Sequence, residues 1–359
     1  MIYLDYNATA PLRKNVIKKI QNLKFEEFGN PSSVHKIGRN SKKIVEEVRR
    51  NILSTLKAKN YDLIFTSGAT ESNNLAIKGF IKKNNIKTIF SLQTEHASVI
   101  DVVKNLDIEK KFFNINSNGN VNLKEIEKLL SKQTSSFLVS IMFANNESGI
   151  IHPINEIAKI VRKYKGIIHC DGVQGLGKIE IDLDSLDVDL FSISSHKIGG
   201  PTGIGALLIN TRNNISPEIT GGGQEKNLRS GTENFLGIVG FGEVINEVKA
   251  QVADKEEELA VKNKELAAII KETEKEEKVL LKKSEKAQEV IEERILKSYT
   301  RIRSKVVNGL AVVSVDRNAC GGCFNQIPPQ RQLDIQMHKK VIVCEHCGRV
   351  LVPQEATEA

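Results

Sequence analysis

The 359-residue chain contains no tryptophan, only 5% aromatic residues, five cysteines, and no run of apolar residues approaching the roughly twenty that a bilayer span needs. The last absence excludes a membrane helix. The scarcity of cysteine excludes a disulfide-built scaffold: Cys170 stands alone, while Cys320, Cys323, Cys344 and Cys347 form two CxxC pairs. Met1 leads straight into Ile2-Tyr3-Leu4, which reads as a strand and not as a secretory leader. The cytoplasm is the compartment this implies, and there paired CxxC motifs argue for metal and against disulfides. Glycine and proline are missing from Asn246 to Asn308, so no turn is expected there. The net charge of +8 permits contact with nucleic acid or acidic partners, although a lysine-rich solvated surface has the same composition.

What is present falls into three parts. Up to about residue 245, short β-branched runs alternate with amphipathic, lysine-rich segments, the rhythm of βαβ units and a largely parallel sheet. Strands are expected at 63–65, 88–90, 137–141, 166–169, 190–193 and 205–209, with helices between them, for example over 41–56 and 155–164. From 246 to 308, Ile245, Val252, Leu259, Leu266, Leu280 and Ala287 form a seven-residue ladder interrupted by Thr273. This predicts one long helix of about 90 Å at 1.5 Å per residue. Its stripe is too narrow to bury alone and calls for a partner helix, unless Glu/Lys pairs keep it as a solvated single helix. Residues 309–359 form a third, small unit.

Three segments of the first part could hold a phosphorylated, flat cofactor. Lys197 lies in Ser194-Ser195-His196-Lys197-Ile198-Gly199-Gly200, after a buried-looking strand, where desolvation lowers an amine's pKa enough for Schiff-base chemistry. Asp171 ends another strand 26 residues earlier and could neutralise a pyridinium nitrogen. The run Thr66-Ser67-Gly68-Ala69-Thr70 leads from a strand into a helix, so free N–H groups, the helix dipole and the Thr70 hydroxyl converge on an anion. His96 could stack on the cofactor ring.

These segments, with Leu4–Pro11, Phe28–Ser33, Thr94–Ser98, Asn145–Gly149, Asp171–Gln174, Gly221–Glu225 and Arg229–Thr232, resemble the cysteine desulfurases over residues 1–245. These are class-V aminotransferase-type enzymes of pyridoxal 5'-phosphate (PLP) fold-type I. The resemblance implies an α/β large domain with a mainly parallel, seven-stranded-type sheet. It implies Lys197 as the Schiff-base lysine and His96 as the ring-stacking catalytic partner. It assigns Asp171 to the pyridine nitrogen, Gln174 to the ring hydroxyl, and Ala69, Thr70, Ser194 and His196 to the phosphate. Asn146 would lie near ring and substrate, and Thr232 would reach the partner subunit's phosphate in a homodimer. L-cysteine or a similar amino acid is the implied substrate, and a sulfur-acceptor protein the implied partner. The family's catalytic cysteine and carboxylate-binding arginine belong to a small domain that this sequence does not continue into. Impaired desulfuration is therefore expected.

Cys320-Gly321-Gly322-Cys323 and Cys344-Glu345-His346-Cys347, 20 residues apart, give two knuckles and a closed tetrahedral thiolate site for structural Zn²⁺. His338 and His346 are bystanders in this reading. The segment 309–353 resembles the C4-type zinc ribbon that ends a family of bacterial coiled-coil proteins, and the preceding helix resembles one arm of their hairpin. That resemblance leaves a second function open, an adaptor for a protein partner or nucleic acid. Arg317, Arg331, Lys339, Lys340, Arg349 and the lone Phe324 offer it a mildly basic face. A fusion without joint function is the third reading.

Overall fold

The computed structural model describes residues 2–306 and 308–354, and the side chains of these apart from residues 25, 252–257, 259 and 260. The described residues form two compact units that divide between Leu259 and Ala260.

The first unit is built on a seven-stranded sheet. Its strands are β1 (Tyr61–Thr66), β2 (Thr88–Leu92), β3 (Glu109–Phe113), β4 (Phe137–Met142), β5 (Ile167–Asp171), β6 (Leu190–Ser194) and β7 (Gly205–Asn210). They lie in the order β1-β7-β6-β5-β4-β2-β3, parallel except for β7, which runs antiparallel to both neighbours. The central strands are apolar and buried at nearly every position because both faces are covered. Alternation sorts their residues. Leu63 and Phe65 join one cluster with Val45, Val48 and Ile52 of helix Lys36–Thr55, while Ile64 joins Leu75, Ile77, Val99 and Val103 in a second. Met142, Asp171 and Ser194 end the neighbouring parallel strands β4, β5 and β6, where open α/β sheets place their ligands.

Several expectations are corrected. Ile2-Tyr3-Leu4 is not a strand: Ile2 and Leu4 are each 85% exposed, and the Tyr3 hydroxyl donates to the carbonyls of Asp5 and Thr9, gathering the segment into a turn. The edge strand β3 had no sequence signal, because its residues Glu109-Lys110-Lys111 face water and interrupt the apolar pattern. The long helix starts earlier than glycine content suggested, at Phe235. Gly237, Gly240 and Gly242 are inside it at points of close packing; a Cβ on Gly240 would come within 2.4 Å of Pro201, and one on Gly242 within 2.6 Å of Val48. Nor is it unbroken. It ends at Gln288, a turn follows, and a separate helix runs over Glu293–Lys305. The break falls at Val290-Ile291, a β-branched pair of weaker helix propensity than the Lys and Glu around it. Of the predicted ladder, Ile245 is buried in the first unit's core and Leu266 and Leu280 are exposed, while the side chains of Val252 and Leu259 lie outside those described. Among the described residues, no helix is long and apolar enough to cross a membrane.

In the second unit, β8 (Val312–Asp316), β9 (Ala319–Cys320), β10 (Ile342–Val343) and β11 (Val350–Val352) form a small sheet in the order β10-β11-β8-β9. Helix Pro329–Gln336, opened by a proline at its first turn, lies between the two knuckles in sequence. The core is slight: Val313, Ile327, Ile335, Ile342 and Leu351 close around Cys320 and Cys344.

Candidate functional site

The ends of β4, β5 and β6 and the turn after β1 enclose a cavity of about 410 Å³. It is lined by nine of the ten residues expected to meet the cofactor: Ala69, Thr70, His96, Asn146, Asp171, Gln174, Ser194, His196 and Lys197. Thr232 does not line it and is exposed on the surface of the chain.

Each wall follows from local sequence. After β1, the Ser67 N–H donates to Glu71 Oε2 (2.8 Å), and Arg229 clamps the same carboxylate through Glu71 Oε1 at 2.8 Å. That network holds the turn while helix Ala69–Asn74 begins, leaving the first helical N–H groups without intrahelical partners. β7 presses against the turn from below. A Cβ on Gly205 would lie 2.8 Å from Gly68 Cα and 2.7 Å from the Ile193 carbonyl oxygen, so only glycine permits this approach. At the end of β6, Ser194 Oγ is buried and makes no hydrogen bond to the described residues. The chain then turns through Ser195–Ile198, bringing His196 and Lys197 to the cavity, and His196 Nδ1 meets Thr9 Oγ1 at 3.2 Å.

Lys197 Nζ donates to the carbonyls of Asn7 (2.7 Å) and Ala8 (2.9 Å). Burial lowers its pKa, with Asp171 and Asp5 opposing the shift. Asp171 closes β5 as a buried carboxyl whose pKa is raised by burial, in spite of an Asn73 Nδ2 bond to Oδ2 (2.8 Å) and a Val173 N–H bond to Oδ1 (3.1 Å). Gln174 spends its amide on Asn7 O (3.1 Å) and on Lys178 Nζ (2.6 Å). His96 caps helix Ala97–Lys104, with Nδ1 against the Ser98 N–H (3.1 Å) and Ser98 Oγ (2.8 Å).

Sequence reasoning did not single out Asn73, Ser98 or Glu95. Asn73 is fully buried and joins Asp171 to Ser98 Oγ at 2.9 Å. Its signal was a polar residue on the inner face of the helix after the turn. Glu95 precedes His96 and is buried; its Oε1 accepts the Met142 N–H (2.9 Å) and burial pushes its pKa well up. Cys170 is wholly buried with its thiol pushed well up by desolvation, a packed residue as expected.

The cavity suits PLP on its own geometry. Its volume is that of a small-cofactor site. Among the described residues no cation bonds to the buried Asp171 acid, a partner that a pyridinium would supply, and Ser194 Oγ is a buried hydroxyl without a hydrogen bond to the described residues, beside helix N–H groups that suit a phosphate.

The second unit holds the metal centre. The thiol sulfurs of Cys320, Cys323, Cys344 and Cys347 all lie within 4.8 Å of one another, with Cys320–Cys347 at 3.7 Å and Cys323–Cys344 at 3.6 Å. A tetrahedron of 2.3 Å Zn–S bonds has edges of about 3.8 Å, so the set fits zinc and is far too wide for disulfides. His338 and His346 stand outside it. Of the expected basic face, Arg349 is instead buried, donating from Nε to Leu310 O at 2.9 Å. Arg331 pairs with Glu345 and Lys340 with Asp334, which reduces the free positive charge, and Phe324 is 79% exposed.

Both parts of the chain match known proteins. Residues 319–351 match the model of the C4-type zinc ribbon domain. The chain is 45% identical over 260 residues to the cysteine desulfurase IscS of Dictyoglomus turgidum, covering 71% of this chain and 65% of that protein. It is 44% identical over 259 residues to the mitochondrial cysteine desulfurase of Candida albicans, covering 70% and 52%. It thus spans about half to two thirds of the length of these relatives. Among solved structures, the NifS-like protein of Rickettsia africae superposes with a TM-score of 0.66 at 40% identity, covering 71% of this chain and 70% of that one. A structure described as SspA in complex with cysteine gives 0.64 at 32% identity, covering 68% and 72%. The model of the class-V aminotransferases matches residues 2–299, and the chain belongs to that family.

Proposed function

We propose that the first unit is a PLP-dependent domain of cysteine-desulfurase type, acting in the cytoplasm on L-cysteine or a close analogue, with sulfur transfer limited by the want of a mobile thiol. The supporting observation is the meeting of Lys197, Asp171 and the Ser67–Thr70 turn in one cavity. PLP, when bound, supplies an electron sink that labilises bonds at an amino acid's α-carbon. The protein's part is to hold and to move protons. Lys197, its pKa lowered by burial, gives up a proton more readily than a surface lysine, and its Nζ is the atom that would hold the cofactor through its aldehyde, with water as the leaving group. Asp171 would hold the ring nitrogen, and Ala69, Thr70, Ser194 and His196 would hold the phosphate. His96 would stack on the ring, while Asn146 would lie near ring and substrate and Gln174 would meet the ring hydroxyl. Thr232 faces outward for a partner subunit's phosphate in a homodimer. The sulfur-bearing step falls to no residue of this unit, because its one cysteine, Cys170, is buried and its thiol is kept protonated. The second unit is a structural zinc ribbon.

Purified protein mixed with PLP should develop the visible absorbance of the lysine-linked cofactor, and Lys197→Ala should lack it. Alanine and sulfide release from L-cysteine should stay far below that of a complete desulfurase. A colourless wild-type protein overturns the cofactor assignment, and fast multiple turnover overturns the impaired sulfur transfer.

A further inference from the structure

Four groups behind the cavity form one hydrogen-bonded line: His96 Nδ1 to Ser98 Oγ (2.8 Å), Ser98 Oγ to Asn73 Nδ2 (2.9 Å), and Asn73 Nδ2 to Asp171 Oδ2 (2.8 Å). Its end members are the two ring-facing groups of the site. Its middle members are buried, Asn73 fully and Ser98 at 8% exposure.

The proton positions along the line follow from the donors within it. The Asn73 amide turns its NH₂ toward Asp171 and gives one hydrogen to Oδ2. The other hydrogen of that NH₂ then points to Ser98 Oγ, which accepts it. The Ser98 hydroxyl keeps one hydrogen to give, and its other neighbour is His96 Nδ1, which a backbone N–H already marks as an acceptor. The Ser98 backbone N–H donates to the same nitrogen at 3.1 Å. A ring nitrogen that accepts from two donors carries no proton, so the neutral imidazole must hold its hydrogen on Nε2. Nε2 makes no hydrogen bond to the described residues, and His96 lines the cavity.

We propose that Asn73 and Ser98 are positioning residues that lock His96 in the Nε2–H tautomer and tie its ring to Asp171. His96 then offers a bound ligand a hydrogen-bond donor and not an acceptor. A ligand with a lone pair or negative charge at that point is accepted, and one with its own donor there is refused. That consequence for ligands rests on the PLP reading of the cavity, whereas the tautomer is a property of the polypeptide alone.

The test is a long-range ¹H–¹⁵N correlation spectrum of the full-length apoprotein at pH 8, labelled on histidine and assigned by the loss of a signal in His96→Gln. His96 should show its protonated nitrogen at Nε2. In Ser98→Ala the ratio of the two tautomers should move toward Nδ1–H by about fivefold, the worth of one ordinary side-chain hydrogen bond. Ser98→Thr should restore the wild-type ratio, which a merely structural role for the residue would not require. A wild-type Nδ1–H signal overturns the proposal, as does an unchanged ratio in Ser98→Ala. If Ser98→Ala fails to fold, the wild-type and Ser98→Thr spectra still decide it. Failure of the protein to bind PLP would leave the tautomer result standing, so the two readings fail separately.

Discussion

The tie between the turn after β1 and the glycine-rich segment 221–231 is a buried ion pair whose removal should be costly. Arg49 and Glu225 meet in two parallel bonds of 2.8 and 2.9 Å, with side-chain exposures of 9% and 2%. Glu225 Oε2 also accepts the Phe65 N–H at 2.7 Å, two residues before the turn begins, and Arg49 donates to the Leu63 carbonyl. Glu225→Ala leaves the buried guanidinium only the part-exposed Glu46 carboxylate, 3.2 Å from Nε, as counter-charge, a loss of about 3 kcal/mol, the low end of what breaking a buried pair costs. Replacing both partners by apolar residues, Arg49→Met with Glu225→Leu, removes the stranded charge. What then remains are the Phe65 amide, unpaired in both variants, and the Leu63 carbonyl that Arg49 had served, a neutral group costing about 1 kcal/mol, less than the charge it replaces. The double variant should therefore be more stable than the single one. Urea denaturation of the four proteins, analysed as a double-mutant cycle, measures this directly. A Glu225→Ala loss below about 1 kcal/mol, or a double variant less stable than the single, would refute the account of the pair as a buried, mutually dependent unit.

Other perturbations report on the cavity and the ribbon. Gly205→Ala places a methyl group against Gly68 and should displace the turn, weakening PLP binding at least tenfold in a fluorescence titration while the fold persists. Asp171 has a folded-state pKa raised by burial, so folding favours its protonated form. Its contribution to apoprotein stability is full below the ordinary carboxylate value of about 4 and is lost as pH rises through the folded-state value. Asp171→Asn should consequently raise the apoprotein's melting temperature at neutral pH while abolishing tight PLP binding, and a lowered melting temperature would contradict this. Cys344→Ser should reduce bound zinc from one per chain to a fraction, read by elemental analysis, and should expose the ribbon to proteolysis.

The buried sheet was legible because its strands carry continuous apolar runs bounded by Gly and Ser, and because each functional turn sits at a strand end. The zinc site was legible because thiolate ligation depends on spacing that a linear sequence displays. What escaped was of two kinds. β3 and the helix break at Val290 depend on which face meets water and on small differences in propensity, which polar residues such as Lys110 and Lys111 obscure. Asn73 and Ser98 escaped because their importance lies in contacts across 25 residues of sequence, made only when the helix after β1 packs beside the one after β2. Arg349 was misjudged for a similar reason: nothing local reveals that its guanidinium turns inward to a carbonyl 39 residues away.

The burial of Cys170 gives the protein a built-in gauge of metal content. With that thiol sealed in the sheet's central strand β5 and the other four engaged by zinc, a small alkylating reagent finds nothing to modify in the loaded native chain. Stripping the ion frees up to four sulfurs while leaving the fifth silent, so the number of labels taken up, read by mass, counts the fraction of ribbons without their ion.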